Sequence, residues 1–225
     1  MVANAETMTT AHLASIPSRE NLLKLTLESA IPYVDHVFVS LNGYKHVPTW
    51  LNDMTTITYN VTDNSLGDAY KFASVNKVSG LVYILDDDLV YTPQFFTLLQ
   101  QKVNQYNCPV SLHGKVYPRP FVRFKSIKEN YRCLGSVVGD HLNIDVIGTG
   151  VLCYKTDMVK LSLSDFKVKN MSDIWFSKLC KEQGVMMVVS EHRTGIVRNL
   201  SPPTTIWGDT KDYSVHNKII KNFLK

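Results

Sequence analysis

Cysteine is scarce. The chain of 225 residues holds four, at 108, 133, 153 and 180, far apart and never spaced as Cys-x-x-Cys. That excludes a disulfide scaffold and a zinc ribbon, and three of the four sit inside apolar stretches. They read as reduced core thiols, and the expected location is a reducing one, the cytoplasm. No apolar run approaches the ~20 residues of a membrane helix, so no membrane span is expected. Residues 1–7 are polar and acidic rather than basic and then apolar, so no secretory signal is expected either. Charge of one sign is not concentrated: 24 Lys and Arg stand against 20 Asp and Glu, a net of +4. A nucleic-acid binder brings a clustered basic stripe, which is missing, so no nucleic-acid partner is expected. The most basic stretch, residues 115–128, is broken by aromatics and prolines and reads as a solvated loop. Three Asn-x-Ser/Thr matches, at Asn60, Asn170 and Asn199, are what chance produces in a chain this rich in Asn, Ser and Thr.

What is present is an α/β pattern long enough for one domain with a full core. Thr9–Ser15 reads as a strand. Pro17 and Ser18 open a helix, with Ser18 as N-cap; Leu23, Leu27, Ala30 and Ile31 share a face, and Pro32 stops it. Residues 36–41 are a buried strand closed by Asn42-Gly43, and residues 56–61 a third strand. Ser65 and Asp68 have capping-box spacing, so a helix is expected over 67–77. Leu81–Leu85 is the fourth strand. Thr92 then caps a helix with Pro93 at its first position, using Phe95, Phe96, Leu99 and Val103. The alternation predicts a mostly parallel sheet flanked by helices. The second half is less regular: loops and short antiparallel strands over 109–145, an apolar segment around Gly148-Thr149-Gly150, a helix over 172–183 capped by Ser172, a strand over 185–189, a loop from Ser201 and a last helix over 215–224.

The most informative feature is Asp86-Asp87-Asp88, directly after the apolar run Leu81-Val82-Tyr83-Ile84-Leu85. Three adjacent carboxylates repel one another and need compensation, which a divalent cation supplies. If the strand continued, Asp86 and Asp88 would share a face with Asp87 opposite. Such an Asp-x-Asp pair offers hard oxygen ligands, and the cation can in turn hold a diphosphate. In parallel sheets ligands gather at the carboxyl ends of the strands, where these aspartates fall.

Taken with Ser15 to Arg19 after the first strand, Asn64 to Gly67 before a helix, Gly148-Thr149-Gly150 and Ser172 to Trp175, this order resembles the nucleotide-diphospho-sugar glycosyltransferases of the GT-A fold, close to the family 2-like enzymes. The likeness spans nearly the whole chain, as a single GT-A domain over 1–225. It implies a nucleotide-binding half over 1–105 and an acceptor and catalytic half over 106–225. The size and lack of an anchor resemble small soluble bacterial or large-DNA-virus enzymes, hence bacterial or infected-host cytoplasm.

The resemblance implies donor contacts from Ser15, Pro17, Arg19, Asn42, Asp63, Asn64, Gly67 and Lys71, with Asp86 and Asp87 beside the nucleotide. It implies a Mn²⁺ or Mg²⁺ ion on Asp88 and Asp86, with His192 as a third ligand. The donor would be a UDP-sugar and the acceptor a glycan or glycoconjugate hydroxyl. Asp173 is the candidate general base, in the first turn of its helix, ahead of Asp140 and Asp145. Arg193 and Arg198 are candidates for neutralising diphosphate, Trp207 and Tyr117 for stacking on a sugar, and the Gly148-Thr149-Gly150 turn for lining the pocket. Inversion of the anomeric centre is the preferred course. Retention, with His192 on the metal, stays open, as does a sugar-nucleotide nucleotidyltransferase. The latter opens with a glycine-rich loop after its first strand, and Ser15 to Arg19 has no glycine. A phosphatase, with its Asp-x-Asp on the first strand, and a non-catalytic carbohydrate-binding module fit less well.

Overall fold

The structure is a computed structural model that describes residues 8–202 and 212–224. Its centre is a seven-stranded sheet in the order β11-β6-β10-β4-β1-β2-β3. These strands are β1 (Thr9–Ser15), β2 (His36–Asn42), β3 (Ile57–Thr62), β4 (Leu81–Leu85), β6 (Val110–Ser111), β10 (Val151–Lys155) and β11 (Val188–Val189). β1 pairs in parallel with β2 and β4, and β2 with β3; β10 runs antiparallel to both β4 and β6. The mostly parallel expectation holds, with β10 as the reversed strand.

The sheet is covered on both faces, and β4 shows how one strand serves both. Leu81, Tyr83 and Leu85 pack in a cluster with Leu23 and Leu27 of α1 (Glu20–Ala30) and Phe95, Phe96 and Leu99 of α2 (Pro93–Tyr106). Val82 and Ile84 point the other way, onto Phe72 and onto Phe176 and Cys180 of α3 (Ser172–Glu182). Alternation with every position buried explains why the run is apolar throughout. A three-stranded antiparallel sheet, β8-β7-β9, is made by β7 (Gly114–Val116), β8 (Glu129–Tyr131) and β9 (Val146–Ile147). β5 (Leu89–Tyr91) pairs with β12 (Val197–Asn199), and α4 (Ser214–Phe223) packs against α3. A third cluster, with Tyr117, Phe124, Ile174 and Ile220, joins α3, α4 and the loop after β7.

Several local expectations differ. Ser18 caps nothing; Pro17–Arg19 is a 3-10 turn leading into α1. The helix expected over 67–77 is instead two 3-10 turns, Gly67–Phe72 and Val75–Lys77. Gly67 enters with φ +60, a left-handed conformation that cannot start an α-helix, and Asp68 bonds a distant residue rather than a helix terminus. Ser172 is not an N-cap but the buried first residue of α3. Thr92 occupies the N-cap position of α2, yet its hydroxyl donates to Ile196 O. The stretch after β6 is not wholly solvated: Lys115 is only 4% exposed. The start of the 201 loop is described, but Trp207 lies outside the described residues. No helix among the described residues is long and apolar enough to cross a membrane.

Candidate active site

A cleft of about 710 Å³ opens at the carboxyl ends of β1, β2 and β4. Asp86, Asp87 and Asp88 form a turn rather than a continued strand, so the expected alternation fails and all three line this cleft. Two cations serve the three carboxylates. Asp87 is buried; it accepts from Ser15 Oγ at 2.6 Å and Arg19 Nη1 at 2.7 Å. The same Arg19 nitrogen reaches Asp88 Oδ2 at 3.2 Å. Asp86 Oδ1 accepts from Lys71 Nζ at 2.7 Å. β1 therefore brings Ser15 and Arg19 to the triplet from one side, and the 3-10 turn after Gly67 brings Lys71 from the other.

The electrostatics follow from this crowding. Burial first, then the neighbouring charges of Asp86 and Asp87, push the Asp88 carboxyl up to about 7, against the opposing pull of Arg19. Asp87 is raised too, by burial, with Arg19 and Ser15 holding it down. Burial would lower the Lys71 ammonium, but Asp86, Asp68 and Asp173 together raise it above its ordinary value. Lys71 thus sits among three carboxylates.

Two glycines are required by this geometry. A Cβ on Gly150 would come within 1.9 Å of Asp86 Oδ2, and one on Gly67 within 1.9 Å of Asn170 Oδ1. Asp86 N donates to Tyr91 Oη at 2.9 Å, and that hydroxyl donates to Gly150 O at 2.7 Å. The carboxylate is packed against a bare backbone and pinned from beneath.

Asp173, in the first turn of α3, lines the same cleft. Its Oδ1 accepts from Thr149 N at 2.8 Å and Thr149 Oγ1 at 2.6 Å. Oδ2 has no hydrogen-bond partner among the described residues. The Thr149 hydroxyl also meets Ser172 Oγ at 2.8 Å, and Ser172 Oγ donates to Asp68. Burial pushes the Asp68 carboxyl up to about 6, with Lys71 opposing. The other two base candidates are structural. Asp145 is buried and gripped by Arg119 at 2.7 Å; Asp140 accepts from Lys102, Tyr106 and Glu191 N.

Of the remaining expected donor contacts, Asn42, Asn64 and Gly67 line the cleft. Asn42 donates to Gly67 O at 2.8 Å and accepts from Thr62 Oγ1 at 2.7 Å, so its amide is engaged at both ends and fixes the Gly67 turn. Pro17 and Asp63 are exposed and off the cleft wall; Asp63 accepts from Tyr70 and Ser65. His192 is not brought to the aspartates. Its Nδ1 lies 2.8 Å from Ser190 O and its Nε2 3.3 Å from Arg132 O, against backbone rather than cleft. Arg193 and Arg198 are exposed and outside the lining, and Tyr117 is core, stacked edge-on to Phe121. Sequence reasoning missed Asp68, Lys115, Asn170 and His216, all on the cleft wall. A lysine flanked by a glycine and a valine in a short strand was the one available sign for Lys115.

Among the described residues no three His, Cys, Asp or Glu side chains form a complete metal cage. Asp86 and Asp88 nonetheless fit a hard divalent cation. They are all-oxygen donors, and Asp88 is raised by burial and then by like charge, the second of which such an ion would offset. Two protein carboxylates completed by substrate phosphate is a usual way to hold Mg²⁺.

No protein-family model and no curated sequence matches the chain. Solved structures do. Staphylococcus aureus TarS 1-349 with UDP-GlcNAc matches over 83% of this chain and 57% of that one, with TM-score 0.52 and 11% identity. Glucosyl-3-phosphoglycerate synthase from Mycobacterium tuberculosis, with Mn²⁺, UDP-glucose and phosphoglyceric acid, matches over 48% of this chain and 44% of that one, at TM-score 0.38 and 17% identity. A putative glucose-1-phosphate thymidylyltransferase from Bacillus anthracis, in complex with a sucrose, matches over 84% of this chain and 87% of that one, at 0.46 and 12%. The chain spans about half the length of the two glycosyltransferase chains, 57% and 44%. The TarS superposition shows the fold alone: the chain has a fold of the GT-A type.

Proposed function

We propose that the chain is a metal-dependent glycosyltransferase that moves a sugar from a nucleoside-diphosphate sugar, a UDP-sugar by preference, to a hydroxyl of a glycan or glycoconjugate, with inversion. The observation that carries this reading is one cleft lined both by the Asp86–Asp88 turn and by Asp173, one of whose carboxylate oxygens is unengaged among the described residues. Asp88 and Asp86 would hold Mn²⁺ or Mg²⁺. When bound, the ion supplies Lewis-acid stabilisation of the departing diphosphate.

The protein's own groups do the rest. Ser15 and Arg19 fix Asp87 and with it the turn. Arg19 and Lys71 place positive charge beside the phosphates, where negative charge grows as the anomeric C–O bond breaks. Asp173 Oδ2 takes the proton from the acceptor hydroxyl as that oxygen bonds the anomeric carbon from the opposite face. Thr149 keeps Oδ1 engaged and so aims Oδ2.

Retention with His192 as a metal ligand is less favoured, because both ring nitrogens face backbone carbonyls. The test is a thermal-shift panel of nucleoside diphosphates, triphosphates and nucleotide sugars with and without Mn²⁺. Mass action should raise the melting temperature for UDP and a UDP-sugar with the ion. Stabilisation by UDP that ignores both the ion and an Asp88→Ala change would overturn the metal reading. A triphosphate outperforming every diphosphate sugar would favour the nucleotidyltransferase.

A further inference from the structure

Asp68, Ser172, Thr149 and Asp173 form one continuous chain of hydrogen-bonding side chains. Asp68 Oδ2 bonds Ser172 Oγ, Ser172 Oγ lies 2.8 Å from Thr149 Oγ1, and Thr149 Oγ1 lies 2.6 Å from Asp173 Oδ1. Backbone amides fix both ends: Ser172 N donates to Asp68 Oδ1 at 3.4 Å, and Thr149 N to Asp173 Oδ1 at 2.8 Å. Ser172 and Thr149 are fully buried. Among the described residues their hydroxyls bond only each other and the two carboxyls.

The chain has three oxygen–oxygen contacts but only two hydroxyl hydrogens. A hydroxyl carries one hydrogen, and an ionised carboxylate carries none. With both aspartates ionised, Ser172 donates to Asp68 and Thr149 donates to Asp173. Two buried hydroxyl oxygens then face each other at 2.8 Å with no hydrogen between them. One further proton, held by a terminal carboxyl, completes all three bonds.

The two ends are not equivalent. Asp173 Oδ1 accepts two hydrogens, from Thr149 N and Thr149 Oγ1, which favours its ionised form. Asp68 Oδ2 meets only the Ser172 hydroxyl among the described residues. Around Asp68 the cleft presents Lys71, already paired with Asp86, the carboxylates of Asp86 and Asp173, and the exposed Lys169. Burial, with like charge from Asp173 and Asp86 adding to it, raises Asp68 against the pull of Lys71 and Ser172.

We infer that Asp68 works as a neutral acid: it donates to Ser172, Ser172 to Thr149, and Thr149 to Asp173 Oδ1, which holds Asp173 ionised with Oδ2 free. Asp68 is then a positioning residue that acts through two hydroxyls. The positioning role rests on the glycosyltransferase reading; the proton on Asp68 does not.

Carboxyl ¹³C NMR of aspartate-labelled protein between pH 5 and 8 tests the proton, the Asp68 signal being the one lost in Asp68→Asn. Asp68 should still be neutral at pH 5, about one unit above the ordinary aspartate value of ~3.9. A carboxyl already ionised there overturns the inference. Asparagine has the shape of the neutral acid and its amide donates at every pH, so Asp68→Asn should fold; failure to fold also counts against the neutral acid. Wild-type turnover should fall as pH rises through the Asp68 ionisation, and Asp68→Asn should lack that fall. At the alkaline end Asp68→Asn should exceed Asp68→Ala at least about tenfold, the worth of one hydrogen bond. An alkaline fall that persists in Asp68→Asn, or equal turnover in the two variants, removes the positioning role. If wild type transfers no sugar, the NMR titration alone decides the proton, and the glycosyltransferase reading falls instead.

Discussion

Asp86 is seated directly against Gly150, so closely that a Cβ at position 150 would fall 1.9 Å from Asp86 Oδ2 and 2.3 Å from its Cγ. The contact joins the end of β4 to the turn before β10. It makes Gly150 a requirement of the carboxylate's position rather than of backbone conformation.

Gly150→Ala is therefore expected to push Asp86 off Lys71 and out of line with Asp88. Overpacking of this kind costs about 1–3 kcal/mol. The larger effect should be on ligand: Mn²⁺-dependent stabilisation by UDP should disappear at a temperature where the variant is still folded. Thermal shift with and without ligand reads both.

Asp173→Asn keeps shape and the Thr149 contacts but removes the basic oxygen. Turnover should fall by ~10²–10⁴, the usual share of general base catalysis. Donor affinity, measured by calorimetry, should stay within about twofold. Asp140→Asn and Asp145→Asn should lower stability without a specific loss of turnover.

Lys71→Met removes the buried cation that faces Asp86, Asp68 and Asp173. Breaking a fully buried pair costs about 3–5 kcal/mol, but Asp86 is 45% exposed and water screens it, so roughly 1–3 kcal/mol is expected. Urea denaturation measures it. Adding Mn²⁺ should recover part of the loss, since the ion compensates the same carboxylates.

Acid sensitivity should come in part from His12. It is buried in β1, stacked on Phe38 with ring centres 4.8 Å apart, and burial lowers it from 6.5 to about 3, with His36 adding to the effect. The unfolded chain takes up this proton first. Stability is then complete above pH 6.5 and falls as pH drops from there toward 3, by up to about 1.4 kcal/mol per unit. His113, lowered to about 4 by burial, acts in the same direction. Chemical denaturation between pH 7 and 5 should show a shallower slope for His12→Phe than for wild type.

The parts of the site that were legible in the sequence are those encoded locally. The apolar run of β4 ending in three aspartates marks both strand and ligand end, because burial on two faces leaves no other reading of such a run. Asp173 is legible as the first turn of a helix. Asp68 is not: its hydroxyl partner Ser172 lies 104 residues away, and local spacing gave it a capping role instead. Lys115 looked solvated because its burial depends on Phe124 and on α4, neither of which its neighbours in sequence foretell. His192 was placed by family likeness alone, and the β-bridge between Val137 and His192 carries it toward backbone.

β10 lies between β4 and β6, so the strand that ends in the aspartates is hydrogen-bonded to β1 on one edge and to a segment some 70 residues later on the other. The first and second halves of the chain are thus not halves of the molecule. A fragment ending near residue 105 would leave one edge of β4 bare, an open template for pairing with other chains. The cleft at the end of β4 is completed only when β10 and the segments after it have been made, which couples its assembly to folding of the whole.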